Sequence, residues 1–162
     1  MATAGKQMQE KHGGVASGPM DLRVWVRLLS CVMRIEKKIR RKFADEFNTT
    51  LPRFDVMASL DRHPDGQTMG DLSRALLVSN GNVTSIIRQL EAQNLVVSRI
   101  DPDDRRSAIV ALTDQGTRTF DEMAHAHHEW IRQAFGGFPI AKQRELFELL
   151  AELNTSIGKN DF

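Results

Sequence analysis

The chain has 162 residues, 41% hydrophobic and 27% charged, with a net charge of +1. That balance suits a globular protein with one core and argues against a disordered chain or two catalytic domains of ordinary size. Cys31 is the only cysteine, which excludes an internal disulfide and a zinc cage of several thiolates, and no window has the apolar run of a signal peptide or a bilayer span, so a cytoplasmic protein without a membrane partner is expected.

Charge is distributed unevenly. Residues 21–54 carry nine Lys or Arg against four acids, whereas residues 119–162 carry four against seven. Such polarity suits an anionic partner on one surface. Residues 1–20, rich in Gly, Ala and Ser, read as a flexible tail. After Pro19, apolar residues at Leu22, Trp25, Leu28, Leu29, Val32, Ile35, Ile39 and Phe43 have the spacing of a long amphipathic helix reaching about Phe47. A second helix starts near Pro52 and is halted by Pro64, Asp65 and Gly66. Thr68 and Asp71 have the form of an N-terminal cap for a third, with Met69, Leu72, Leu76 and Leu77 as its buried side.

The fourth helix, SNGNVTSIIRQLEAQ, shows where function begins. On a helical wheel Val83, Ile86, Ile87 and Leu90 share one side, while Gly81, Asn82, Ser85 and Arg88 lie away from it and Thr84 falls at the margin. An ordinary solvated face would read the same way. Two short helices joined tightly, the second small and polar in its first turns, also form the element that a major groove admits and reads. The next segment of the chain separates the two readings. LVVSRI and SAIVAL are β-branched and apolar enough for two strands, and DPDDRR between them makes a hairpin. A helix-turn-helix followed directly by a hairpin is a winged arrangement, whose arm would carry Arg106 into a narrow minor groove and Arg105 to a phosphate, with Asp104 holding the Arg106 guanidinium extended.

Asp104, Arg106, Val110, Leu112, Thr113 and Gly116 fit the wing signature D-x-R-x-x-x-[VLI]-x-L-T-x-x-G, and on these residues the chain resembles the multiple-antibiotic-resistance regulator (MarR) family from about residue 22 to 157. The resemblance implies a mainly α fold with a small two- or three-stranded β wing. It implies a single domain over 21–162, with dimerisation helices at about 21–47 and 114–158 around a winged helix-turn-helix at about 52–112. It further implies a homodimeric transcription factor, read here as a repressor, that binds a pseudo-palindromic operator in double-stranded DNA and is released by a small effector. Carried over residue by residue, the wing pair is Asp104 and Arg106, and the groove-facing helix spans Ser79 to Arg88, with Ser79, Asn80, Asn82, Thr84, Ser85 and Arg88 as its contacts. WVRLLSCVMRIEKKIRRKF and LLVSNGNVTSIIRQLE resemble the branch that controls aromatic-acid catabolism, which implies an aromatic acid or aromatic acyl-CoA thioester as effector.

A fifth helix capped by Thr113 runs through Phe120, Met123, Ala124, His127, Ile131 and Ala134 to the Gly136, Gly137 break, and a last helix opens at Pro139 with Ile140, Phe147, Leu150, Leu153 and Ile157. A winged lobe alone is too small to bury both, so packing against a twin is expected, with two reading helices one duplex turn apart. Arg23, Arg27, Arg34, Lys37, Lys38 and Arg41 form a cationic stripe on the first helix. That is a solvated face or, with Trp25, Arg27 and Arg34, a grip on the phosphates of a CoA-type effector. Cys31 reads as a small buried hydrophobe, and the alternative is a redox- or metal-responsive regulator of the same fold acting through Cys31 or the His125 and His128 region. No metal or other cofactor is expected. With no phosphate loop after a strand, no nucleophile elbow and no histidine placed to serve Cys31, an enzyme is not expected either.

Overall fold

The computed structural model describes residues 18–77, 79–102 and 107–159, so the expected tail falls outside it apart from residues 18–20. The described residues form α1 (Met20–Phe47), α2 (Leu51–Asp61), β1 (Gln67–Thr68), α3 (Met69–Leu76), α4 (Asn80–Ala92), β2 (Val96–Ile100), β3 (Ala108–Leu112), α5 (Asp114–Phe135) and α6 (Ile140–Ile157). Each predicted helix and both predicted strands are present. They divide into two compact units, the first ending at His127 and the second beginning at His128.

In the first unit the core is built where α1, α2 and α5 bring rings together. Phe43 and Phe54 approach to 4.8 Å between centroids, Phe54 and Phe120 to 5.6 Å, and the His127 ring lies 4.9 Å from Phe54 and 6.0 Å from Phe43. These tilted and stacked pairs add to the burial of large apolar surface. Phe43 is fully buried, and so are Val56, Met57 and Leu60 of α2, whose side chains recur at helical spacing. The α1 apolar face is covered unevenly: Ile39 and Phe43 are buried and Leu28, Leu29 and Ile35 half-buried, whereas Leu22, Trp25 and Val32 are exposed. The same helix carries the ion pairs Glu36–Arg40, Arg41–Asp45 and Lys42–Glu46 on its solvent side, each worth a few tenths of a kcal/mol. Cys31 is exposed. The expected burial of its side chain is not met: on this turn of α1 it is the neighbouring Ser30 that is buried, and Cys31, about 100° further round the helix, points off that covered side.

β3 is the central strand of the antiparallel sheet, order β1-β3-β2. Val96 pairs with Leu112 and Ile100 with Ala108, while Gln67 and Thr68 pair with Val110 and Ile109. The sheet has the larger of the two expected strand numbers, and its third strand, β1, has no mark of its own in the sequence because two residues are too short for an alternating pattern. The approach to it depends on Gly66, whose φ of +89° and whose Cβ position, 2.5 Å from Ile109 Cγ2, leave room for glycine alone. Buried Gln67 is met by Ser59 of α2, whose Oγ donates to Gln67 Oε1 at 2.8 Å. Buried Arg53 donates through a terminal nitrogen to Gln93 Oε1, while its Nε has no partner, and desolvation lowers its pKa.

Where β3 runs into α5 the contacts are close. Thr113 donates its backbone N–H to Leu95 O at 3.1 Å and its hydroxyl to Asn94 O at 2.7 Å, and the same hydroxyl accepts from Gly116 N at 2.9 Å. Thr113 thus caps α5, as expected. A Cβ at Gly116 would lie 1.9 Å from Leu95 O. The L-T-x-x-G part of the wing signature is therefore a packing device that pins α5 to the base of the wing.

The second unit holds the end of α5 and all of α6. Glu129 and Arg132 pair at 2.6 Å across one helical turn. No residue of α6 is buried, and Ile140, Phe147, Leu149, Leu150, Leu153 and Ile157 are all exposed.

Candidate nucleic-acid interface

α3 starts with the predicted cap. Thr68 Oγ1 accepts from Asp71 N at 3.1 Å and donates to Asp71 Oδ2 at 2.7 Å. Asp71 also takes a hydrogen bond from Arg74 one turn later. The Thr68 hydroxyl foremost, and Arg74 after it, hold the Asp71 carboxyl below its ordinary pKa against the smaller opposing effect of desolvation. α3 ends at Leu76. Leu72 is buried and Leu76 half-buried, but Leu77 is 93% exposed, which corrects its expected place on the buried side. The reason is local: Leu77 leaves the helix in a left-handed conformation (φ 53°) with its N–H bonded back to Arg74 O, and this takes its side chain off the buried face.

α4 comes next, with Ser79 as N-cap. Val83, Ile86, Ile87 and Leu90 are buried, anchoring the helix in the first unit. On the other side Gly81, Asn82, Ser85 and Arg88 are exposed and Thr84 is half-buried, which is the predicted division. The Ser79 hydroxyl makes no capping bond, and nothing lies within 4 Å of the Cβ position of Gly81. The first turn of α4 therefore offers uncapped N–H groups, the positive end of the helix dipole and small polar side chains on an open surface. Arg88, two turns on, has no ion-pair partner among the described residues and can meet a phosphate. The Asn80 side chain lies outside the described residues.

The wing rises beside this helix on β2 and β3. Asp101 N donates to Ser107 O at 3.0 Å at the limit of the described hairpin, and Arg99 donates to Asp65 O at 2.6 Å, tying the wing to the turn before β1. Val97 and Ile100 are exposed on β2. Asp104, Arg105 and Arg106, expected to meet the duplex, lie outside the described residues.

The remaining candidates are scattered. Trp25 and Arg27 are exposed on α1 and Arg34 is half-buried there. His125 and His128 are exposed on α5. Among the described residues no three His, Cys, Asp or Glu side chains are grouped to hold a metal ion. No described helix is long and apolar enough to cross a membrane.

The profile of the MarR family matches residues 49–108, which hold α2, β1, α3, α4 and β2 and end at the first residue of β3. An uncharacterised HTH-type transcriptional regulator of Bacillus subtilis, YkoM, is 35% identical over 79% of this chain and 80% of its own length. The transcriptional activatory protein BadR of Rhodopseudomonas palustris is 33% identical over 77% of this chain and 74% of its own. The chain belongs to the MarR family. A crystal structure of a MarR family regulator from Silicibacter pomeroyi superimposes with a TM-score of 0.72 at 31% identity, over 85% of this chain and 94% of that one. The protein is thus a MarR-family DNA-binding transcriptional regulator with a winged helix-turn-helix, and not an enzyme.

Sequence reasoning passed over two features of this MarR-family lobe. Arg53, at the start of α2, reaches Gln93 at the C-cap of α4 and so links the two helices; a lone arginine in an amphipathic segment carries no signal of burial. The turn conformation of Leu77 was equally hidden, since nothing in ALLVSN marks a left-handed leucine.

Proposed function

We propose that the protein is a repressor that binds a pseudo-palindromic operator as a homodimer and leaves it when a small effector binds. The observation that carries the reading is the open, polar first turns of α4, with Ser79, Asn82 and Ser85 available to base edges and Arg88 to a phosphate. The other contacts are assigned from the sequence: Asn80 and Thr84 on the same helix, Arg106 in the flanking minor groove, Arg105 on a phosphate, Asp104 as the group that orients Arg106. Support for the dimer comes from exposed apolar side chains, Leu22, Trp25 and Val32 on α1 and Phe147, Leu150 and Ile157 on α6. A second copy would cover them and set two α4 helices about 34–36 Å apart, one turn of duplex.

The effector is an aromatic acid or aromatic acyl-CoA thioester, with its anionic group at Arg27 and Arg34 and its aromatic part near Trp25. It acts by favouring a dimer in which the two α4 helices no longer match successive major grooves. A nearly complete release needs a preference for that state of about 5 kcal/mol. Such a regulator works in the cytoplasm.

A gel shift with the full chain tests the core of this. Affinity is expected to fall steeply with salt, and Arg88→Ala is expected to reduce the slope of log K against log salt by about 1. Asn82→Ala and Ser85→Ala should change which sequences are preferred. A protein whose affinity for duplex is flat in salt, or that sediments as a monomer while bound, refutes the proposal. Acyl-CoA affinity unchanged in Arg27→Ala and Arg34→Ala removes the effector assignment alone. Exposure of Cys31 keeps a redox response as the second reading, and operator binding unaltered by peroxide eliminates it.

A further inference from the structure

Among the described residues, three that are not glycine hold a positive φ: Asn48 at 48°, Asn94 at 55° and Leu77 at 53°. Asparagine tolerates this region, because its short polar side chain bonds locally, whereas a leucine Cβ crowds the following carbonyl. The chain thus uses a suited residue at two of these left-handed positions and an unsuited one at the third. Nor does packing account for it. Leu77 is 93% exposed, more than any other large hydrophobic side chain described. In the free chain it is unfavourable on both counts, and glycine or asparagine would serve the turn better. A strained, conspicuous residue of this kind points to use in a contact outside the chain.

Its place indicates which contact. Leu77 ends the turn from α3 two residues before Ser79, the N-cap of α4, so it borders the open helix start that carries Asn82 and Ser85. The partner of that surface is a duplex, and the apolar group that base pairs present in a major groove is the C5-methyl of thymine. We infer that Leu77 is a specificity residue, reading one thymine methyl in each half-site beside the bases faced by α4. This rests on the DNA-reading role proposed for α4. The left-handed turn would be what brings an aliphatic side chain to the edge of the groove while α3 and α4 stay packed on each other.

The test uses the full chain and an operator selected from random duplexes with wild-type protein. Each thymine is then replaced by deoxyuridine, which removes only the methyl, and binding is measured for wild type, Leu77→Asn and Leu77→Met. Expected for wild type is a loss of about tenfold at one position in each half-site. Leu77→Asn should bind the thymine operator about tenfold more weakly and be indifferent to uracil there, while Leu77→Met, still apolar, keeps the discrimination. Leu77→Asn should also melt no lower than wild type, since asparagine suits the turn, so weaker binding would not reflect unfolding. Equal affinity of wild type and Leu77→Asn for the thymine operator overturns the inference, as does equal sensitivity of both to uracil. A change in oligomeric state with Leu77→Asn also overturns it, placing the side chain against a second copy. If wild type selects no operator, the reading of α4 fails first; specific binding indifferent to position 77 sinks this inference alone.

Discussion

Replacing Gly116 with alanine puts a Cβ 1.9 Å from the Leu95 carbonyl oxygen and 3.3 Å from Leu112 Cδ2. The first obstacle is backbone, so it cannot rotate aside, and an ordinary contact of 3.4 Å or more requires the start of α5 to withdraw by about 1.5 Å. That movement breaks the bond from Thr113 N to Leu95 O, now 3.1 Å, and the bond from the Thr113 hydroxyl to Asn94 O, now 2.7 Å. Each is worth about 1 kcal/mol net, and more where a partner is left without water, which puts the total at about 2–4 kcal/mol. For a chain of this size the melting temperature should drop by about 5–15 °C, read by circular dichroism at fixed protein concentration. Below the transition, the salt dependence of DNA binding should keep its slope, because Gly116 is argued to be a packing residue and not a phosphate contact. A variant that melts within about 1 °C of wild type, or whose salt slope falls, refutes the reasoning.

Thr68→Ala should cost about 1 kcal/mol, the usual value of an N-cap, measured by urea unfolding. The deficit should be pH-dependent: the Thr68 hydroxyl is the main cause of the lowered Asp71 pKa, so its contribution is present above the ordinary carboxylate range and lost as the pH falls through the folded value. A deficit constant from neutral pH down to strong acid would contradict this. Asp55 behaves oppositely. Burial raises its pKa, with Arg40 opposing and Glu36 assisting, so its charged form weakens the fold as pH rises. Asp55→Asn is therefore expected to stabilise the protein at neutral pH by a margin that closes in acid, and a variant less stable at pH 7 would reverse the assignment. Phe43→Ala removes the fully buried ring that meets Phe54 and His127, and should cost about 3–5 kcal/mol in chemical denaturation.

Much of the architecture was legible because it is local. The 3.6-residue recurrence of apolar side chains marked α1, α4, α5 and α6, Thr68 and Thr113 announced the starts of α3 and α5, and β-branched runs marked β2 and β3. The division of α4 into a buried stripe and a polar face was readable for the same reason: a helix maps sequence spacing onto surface. What the chain order could not contain was set by distant groups meeting. Gly116 matters because the Leu95 carbonyl stands against it, Gly66 because Ile109 does, and Arg53 because Gln93 is folded onto it. Leu77 belongs to the same class, its backbone turned left-handed at the point where α3 must give way to α4, so that a leucine periodic with a buried face ends in solvent. Periodicity is a property of one element and is written in consecutive residues. Close approach and backbone strain are properties of pairs of elements, and they exist only once the chain has closed on itself.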